Sequence, residues 1–334
     1  MAGARTVVTE LATGLGMLGL SGDGLSARAP AELRGVDDAA WATLLAARDD
    51  DDLGPDLGRA VENGRAFLAA EEALDRRLPR VVEWRGPTRA PGDEVVPIDL
   101  RVDHVYLVSC KYLSRIVINA SPSHLFDRLL SGGHGRRAGH DWYELTAPAE
   151  YQTLYDTARA VAGWGRLPAH VSELRPADRE LLRRALPGRL DGVLAERYAA
   201  LCGAVAVASG ERWARNIAAG ADADTMLRRL LRIGSAPYFV LGSAPTGSLR
   251  LRIGTAWDWR QRYETSSLDL TPLPAGQPCV AWTATVRDRI GGTEVAVTGH
   301  VEIRWSHGKF GGPPEAKVYL DTPHHQVPGY VPLR

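Results

Sequence analysis

The chain has 334 residues, 45% of them hydrophobic, enough to bury one large core or two or three smaller ones that share interfaces. Forty Lys and Arg balance forty Asp and Glu, which excludes a uniformly basic nucleic-acid coat and leaves any charged partner to be met by a local patch. Cys110, Cys202 and Cys279 have neither CxxC spacing nor an even count, which argues against a disulfide framework or cysteine zinc site and for a reducing cytoplasm.

The opening MAGARTVVTELATGLGMLGL carries one Arg and an apolar run interrupted by Glu10. It is too short and glycine-rich for a membrane span and lacks the clean apolar core of a secretory signal. Residues 1–68 read as a helical region, with apolar side chains three and four apart in PAELRGVDDAAWATLLAARDD and LGRAVENGRAFLAAEEALDRRL. From Val81 the period changes to two, and Pro87, Pro91 and Gly92 mark a loop before the hairpin VVPIDLRVDHVYLVSCKYLSRIVINASP. Alternation puts Ile98, Leu100 and Val102 on one face and Asp99, Arg101 and Asp103 on the other. On the second strand Tyr106, Val108 and Cys110 join the apolar face, while Ser109 and Lys111 join the acidic one. Two carboxylates and a lysine on one face suit a hard divalent ion and a phosphate. NASPSHLFDRLLSGG then predicts a helix capped by Ser121, started by Pro122, and docked through Leu125, Phe126 and Leu129.

An acid on one strand, x-x-Lys on the next and a docking helix resemble the core of the PD-(D/E)XK nucleases, the restriction-endonuclease-like fold. PID at Pro97 to Asp99 and SCK at Ser109 to Lys111 are the matching pieces. The resemblance spans Ala69 to Leu130, within a nuclease-like α/β core at residues 69–147. It implies Asp99 as the metal-binding acid, Asp103 as its competitor, Lys111 as the catalytic lysine, Mg²⁺ (or Mn²⁺) as cofactor and DNA as substrate. Ser109 stands in the catalytic set where the family usually has Asp or Glu, so either another acid completes the metal site or catalysis has been lost. Family members often carry a glutamate on the first core helix, and Glu71 or Glu72, before the hairpin, is the expected source. Ser114 and Asn119, just after Lys111, are candidate phosphate contacts.

The loop SGGHGRRAGHDWYEL sets Arg136 and Arg137 among glycines, either to clamp a phosphate backbone or as an ordinary surface loop, and has no P-loop ending. Residues 148–232 form a second helical region, and residues 233–334 predict an all-β carboxy-terminal domain from six short alternating runs between YFVLGS and AKVYLDT. In that stretch Glu302 with Glu315 and Lys317 is a rival acid-and-Glu-x-Lys hairpin, although no helix follows it. Trp305, His307 and Lys309 interleave aromatic and basic groups, as a nucleic-acid groove or as closure of a β core.

The expectation is therefore an α+β or α/β protein with a restriction-endonuclease-like core, helical segments and a β-rich carboxy-terminal domain. Its function would be Mg²⁺-dependent DNA cleavage of restriction or phage-defence type in the cytoplasm, with a homodimer as the simplest way to bring two sites to two strands. The alternative is a catalytically inactive nuclease-like DNA-binding or assembly protein. A third reading is an enzyme acting on a small molecule held in a pocket.

Overall fold

The computed structural model describes residues 3–23, 25–86, 98–112, 115–129, 141–161, 165–186, 188–220, 222–244, 247–274 and 276–334. The first elements are α1 (Ala4–Met17), β1 (Leu33–Arg34), α2 (Asp38–Ala47), α3 (Gly54–Ala69), β2 (Val82–Trp84), β3 (Leu100–Val102), β4 (Tyr106–Tyr112) and β5 (Ile116–Ala120). Helices then follow: α4 (Trp142–Thr146), α5 (Pro148–Val161), α6 (Pro176–Ala185), α7 (Gly192–Ala218) and α8 (Ala223–Leu230). The rest of the chain is β6 (Tyr238–Ala244), β7 (Gly247–Ile253), α9 (Ala256–Arg262), β8 (Tyr263–Pro274), β9 (Pro278–Asp288), β10 (Glu294–Arg304), β11 (Glu315–Leu320) and β12 (Tyr330–Pro332). The fold is mixed α+β, with one mixed sheet and one antiparallel sheet.

Two compact units emerge, each assembled from segments far apart in sequence. Unit 1 comprises Met1–Arg115, Arg232–Arg262 and Pro323–Arg334; unit 2 comprises Ile116–Leu231 and Tyr263–Thr322. The sheet of unit 1 has the order β1-β2-β3-β4-β6-β7-β12, with β2, β3 and β4 an antiparallel meander and β6 parallel to β4. Against it lies α1, in which every residue from Val8 to Met17 is buried, the pattern of a helix surrounded by core on all sides. Leu11 and Leu15 of α1, Phe67 of α3, Val82, Leu100, Val102 and Val108 of the meander, and Phe239 and Leu241 of β6 share one hydrophobic cluster.

The approach of α1 to α3 depends on two glycines. A Cβ on Gly64 would stand 2.1 Å from the Thr13 carbonyl oxygen, and one on Gly16 would stand 2.1 Å from the Val61 carbonyl oxygen. Both distances are far inside van der Waals contact, so backbone approaches backbone only because neither residue has a side chain. A buried polar network fastens the same helices to the sheet. Asn63 of α3 donates through Nδ2 to the Gly242 carbonyl at 2.8 Å and to the Tyr112 hydroxyl at 3.2 Å, and accepts from Arg250 Nε at 2.9 Å. The Tyr112 hydroxyl also meets Thr13 Oγ1 of α1 at 2.8 Å.

Unit 2 contains the sheet β5-β11-β10-β9-β8, antiparallel throughout, with α7 packed on β8 and β9. By length and composition α7 could cross a membrane, but Leu201, Val205, Ala206 and Trp213 bury one face of it within this unit. The strands expected after residue 233 form where alternation predicts them, yet they do not make one domain. β6, β7 and β12 extend the sheet of unit 1 because Phe239 and Leu241 complete the apolar floor beneath α1 and α3, whereas β8 to β11 form one sheet with β5 in unit 2. The helix expected to dock behind Lys111 is a π-helical turn, His124–Leu129, belonging to unit 2. There Phe126 stacks on Trp142, and Asp127 pairs with Arg212 at 2.5 Å.

Replacing Gly64 with Ala should destabilise the protein by about 1–3 kcal/mol or more by forcing α1 and α3 apart. Gly58→Ala, on the same helix with nothing within 4 Å of the new Cβ, should be neutral or stabilising by up to ~1 kcal/mol. Denaturant unfolding of both variants checks this; equal midpoints would contradict the close crossing.

Candidate active site

The β3–β4 hairpin pairs Leu100 with Val108, Arg101 with Leu107 and Val102 with Tyr106. Leu100, Val102 and Val108 are fully buried, so the apolar face read from alternation does face the helices. Asp99 lies one residue ahead of β3 and is held to β4 by three hydrogen bonds. Its main-chain N–H donates to the Val108 carbonyl at 2.9 Å, and its Oδ2 accepts from Ser109 Oγ at 3.1 Å and from the Cys110 N–H at 2.6 Å. Ser109, wholly buried, thus positions Asp99 rather than standing in for an acid. Asp99 Oδ1 has no hydrogen bond among the described residues. Lys111 follows on β4 opposite Gly242 of β6, where a Cβ would lie 1.8 Å from the Lys111 carbonyl oxygen; only glycine admits this strand spacing.

The acid that joins Asp99 comes from α1. Glu10 is 7% exposed, and its Oε2 accepts the Trp84 indole N–H at 2.6 Å. Burial, and then the negative charge of Asp99, raise its pKa to about 8; the Trp84 hydrogen bond and the positive charge of Lys111 pull the other way. Glu10 of α1 therefore feels both Asp99, just ahead of β3, and Lys111 of β4. Cys110, on the helix side of β4, feels the same pair of acids: burial first, then Asp99 and Glu10, push its thiol well above the usual range, so it is no nucleophile.

Beyond Lys111 the surroundings turn basic. The short 3₁₀ turn His324–Gln326 carries His324, whose pKa is lowered by burial and then by the positive charges of Arg115, Lys111 and His325. One buried and one half-buried carboxyl with the cations Lys111 and Arg115 nearby are groups of the kind that bind a divalent ion and a phosphate. The carboxyl groups fit Mg²⁺ in chemistry, since two carboxylates suffice for an ion that keeps water and phosphate oxygens as its remaining ligands. They do not make a full cage: among the described residues no group of three or more His, Cys, Asp or Glu could hold a metal.

Several expected residues lie elsewhere. Asp103 sits in the hairpin turn with φ 48°, beside His104 at φ 62°, and its carboxylate binds Arg77 Nη1 at 2.6 Å and the Arg80 N–H at 2.7 Å. Burial acts to raise its pKa, but Arg77 and the amides of Arg80 and Val81 outweigh it and hold the pKa down. It closes the turn instead of competing with Asp99. Glu71 and Glu72 follow the end of α3 and bind the main chain of Arg334, Glu72 through Oε2 at 3.1 Å. Glu10 of α1 is buried instead, and its signal in the sequence is a lone acid inside an apolar run.

The rival hairpin forms in unit 2 with Glu302 opposite Lys317 and Arg304 opposite Glu315. Its charges pair with one another: Arg304 Nη1 lies 3.3 Å from Glu302, Lys317 Nζ lies 3.5 Å from Glu315, and Ser306 donates to Glu315. Asn119 is an exposed residue of β5 in register with Lys317. Trp305 is buried among Tyr143, Tyr198 and Phe310, so it closes a core and offers no stacking platform. His307 is exposed, 3.8 Å from Glu315, and the Lys309 ammonium lies over the Tyr198 ring. Ser114, Arg136 and Arg137 lie outside the described residues. Set against protein families, curated proteins and solved structures, the chain matches none.

The raised pKa of Glu10 fixes a sign for stability. Protonated in the folded state up to about pH 8 but only to about 4.5 when unfolded, the group stabilises below the lower value and loses that contribution as pH rises through the higher one. With chelator present, the thermal midpoint of the native protein should fall relative to Glu10→Gln between these pH values. A constant difference across the range would contradict the burial of an ionisable carboxyl.

Proposed function

We propose that unit 1 carries a divalent-metal-dependent phosphodiesterase site acting on DNA, of the PD-(D/E)XK type, and that the chain serves in cytoplasmic restriction or phage defence as a homodimer. The observation that carries this reading is the buried Glu10 carboxyl on α1, which feels the charges of both Asp99 and Lys111. It supplies the helical glutamate that the resemblance asks for and that Ser109 cannot replace. A solvated hairpin face would not need an acid buried beneath it, because burying one costs free energy unless a cation or proton compensates.

In this reading Asp99 Oδ1 and the Glu10 carboxylate hold Mg²⁺ or Mn²⁺. When bound, the ion supplies Lewis acidity toward a phosphate oxygen and makes a bound water more acidic. The chain's own groups do the rest. Ser109 Oγ and the Cys110 N–H keep Asp99 aimed, and Trp84 fixes the Glu10 carboxyl. Lys111 donates its N–H groups to a phosphate oxygen and offsets the charge that grows there in the transition state. Arg115, close enough to help hold the His324 pKa down, adds positive potential for the polyanion.

A second reading, a nuclease-like DNA-binding protein without catalysis, is favoured by one observation: Asp99 Oδ2 is already occupied by Ser109 and Cys110. Supercoiled plasmid incubated with the full chain and Mg²⁺ or Mn²⁺ separates the two. The nuclease reading expects nicking that is lost with chelator and reduced about 100-fold or more in Asp99→Asn and Lys111→Ala, but retained in Asp103→Asn. Cleavage unchanged in the first two variants overturns the site, and retarded DNA without cleavage selects the binding protein.

A further inference from the structure

Unit 2 contains a cavity of about 400 Å³ lined by Arg189, Leu190, Tyr198, Cys202, Gln277 and Lys309, a volume in the range that holds a mononucleotide-sized ligand. A second opening of about 700 Å³ adjoins it through Gly188 and Lys309 and adds the Arg183–Glu180 ion pair and His307. Arg183 is bound to Glu180 at 2.7 Å, whereas neither Lys309 nor Arg189 has a carboxylate within ion-pair distance among the described residues. The Lys309 ammonium lies 3.8 Å from the centre of the Tyr198 ring and 5.6 Å from that of Trp305. Aromatic faces attract the cation but do not neutralise it. Burial lowers the Lys309 pKa, a penalty that a bound anion would reverse.

The neutral wall is as specific as the charged one. The Tyr198 hydroxyl donates to Gln277 Oε1 at 2.8 Å, which fixes the amide and leaves its NH₂ group to donate to a ligand. Leu190, Ala195, Ala199 and the flank of Tyr198 give the remainder an apolar surface for a flat body. Cys202 is not a reactive element, because burial raises its pKa to about 11.

We propose that this cavity binds a small organic phosphate of mononucleotide size, with its phosphate between Lys309 and Arg189 and its planar body against Leu190 and Tyr198. Two cations without carboxylate partners match a phosphate dianion better than the single charge of a carboxylate. The site stands independently of the reading given to Glu10, Asp99 and Lys111, since every residue in it belongs to unit 2.

Titration calorimetry on the full chain with adenosine monophosphate, inorganic phosphate and adenosine tests the assignment. Saturable binding of the monophosphate at one site per chain is expected, with inorganic phosphate weaker and adenosine weaker by about tenfold or more, equivalent to ~1.4 kcal/mol. Lys309→Met and Arg189→Ala should each weaken the monophosphate by a similar factor. Arg189 is exposed, so Arg189→Ala carries the test even where Lys309→Met fails to fold. Absence of saturable binding by both phosphates, equal binding of adenosine and its monophosphate, or binding indifferent to Arg189→Ala overturns the proposal.

Discussion

A carboxyl group buried in an apolar helix is the constraint around which unit 1 is arranged. Nine of the ten residues from Val8 to Met17 meet only the ordinary demands of a core helix, namely apolar contact, small size or a hydroxyl bonded to its own backbone. Glu10 is the exception, and its burial next to Asp99 is unfavourable in the absence of a proton or a cation. The Trp84 indole N–H and the charge of Lys111 lessen that cost without removing it, as the upward shift of the Glu10 pKa records. The close crossing at Gly16 and Gly64 and the Thr13–Tyr112–Asn63 network keep α1 where this tension persists.

The same arrangement separates residues that bear on chemistry from residues that bear on structure. Asp99 and Asp103 are four apart on one predicted face, yet the first precedes a strand and acts on the Glu10 charge, and the second closes a turn by binding Arg77 and two amides. Glu302, Arg304, Glu315 and Lys317 repeat the acid-and-lysine pattern on β10 and β11, but each charge already has an opposite charge nearby. Charged residues in register are common on sheets and contribute little by themselves. What distinguishes the first hairpin is the buried Glu10 carboxyl of α1, whose charge in a low dielectric is felt more strongly by Asp99 and Lys111.

Much of this was legible from residue order, and the failures have physical causes. Alternation identifies the buried face of Leu100, Val102 and Val108 and the strands from Tyr238 onward, because side-chain period is a local property. Strand partners are not local. Nothing in the spacing of Phe239 and Leu241 says that they lie in one sheet with Val108, over a hundred residues earlier, while β5 crosses to β11. Asp103 and His104 adopt positive φ without glycine, so the turn that removes Asp103 from the acidic face carries only the weak mark of two residue types that tolerate that conformation. Glu10 was visible as an interruption of an apolar run, but its closeness to Asp99 and Lys111 is a consequence of tertiary packing alone.

Proton-linked metal binding is the most direct measure of whether Glu10 and Asp99 form one cation site. Titration of Mg²⁺ into the full chain near neutral pH, repeated in buffers of different ionisation enthalpy, reports the protons released per ion bound. The account predicts release from Glu10, held protonated up to about pH 8, and its loss in Glu10→Gln. Binding without proton release, release that survives Glu10→Gln, or no binding at all would contradict it.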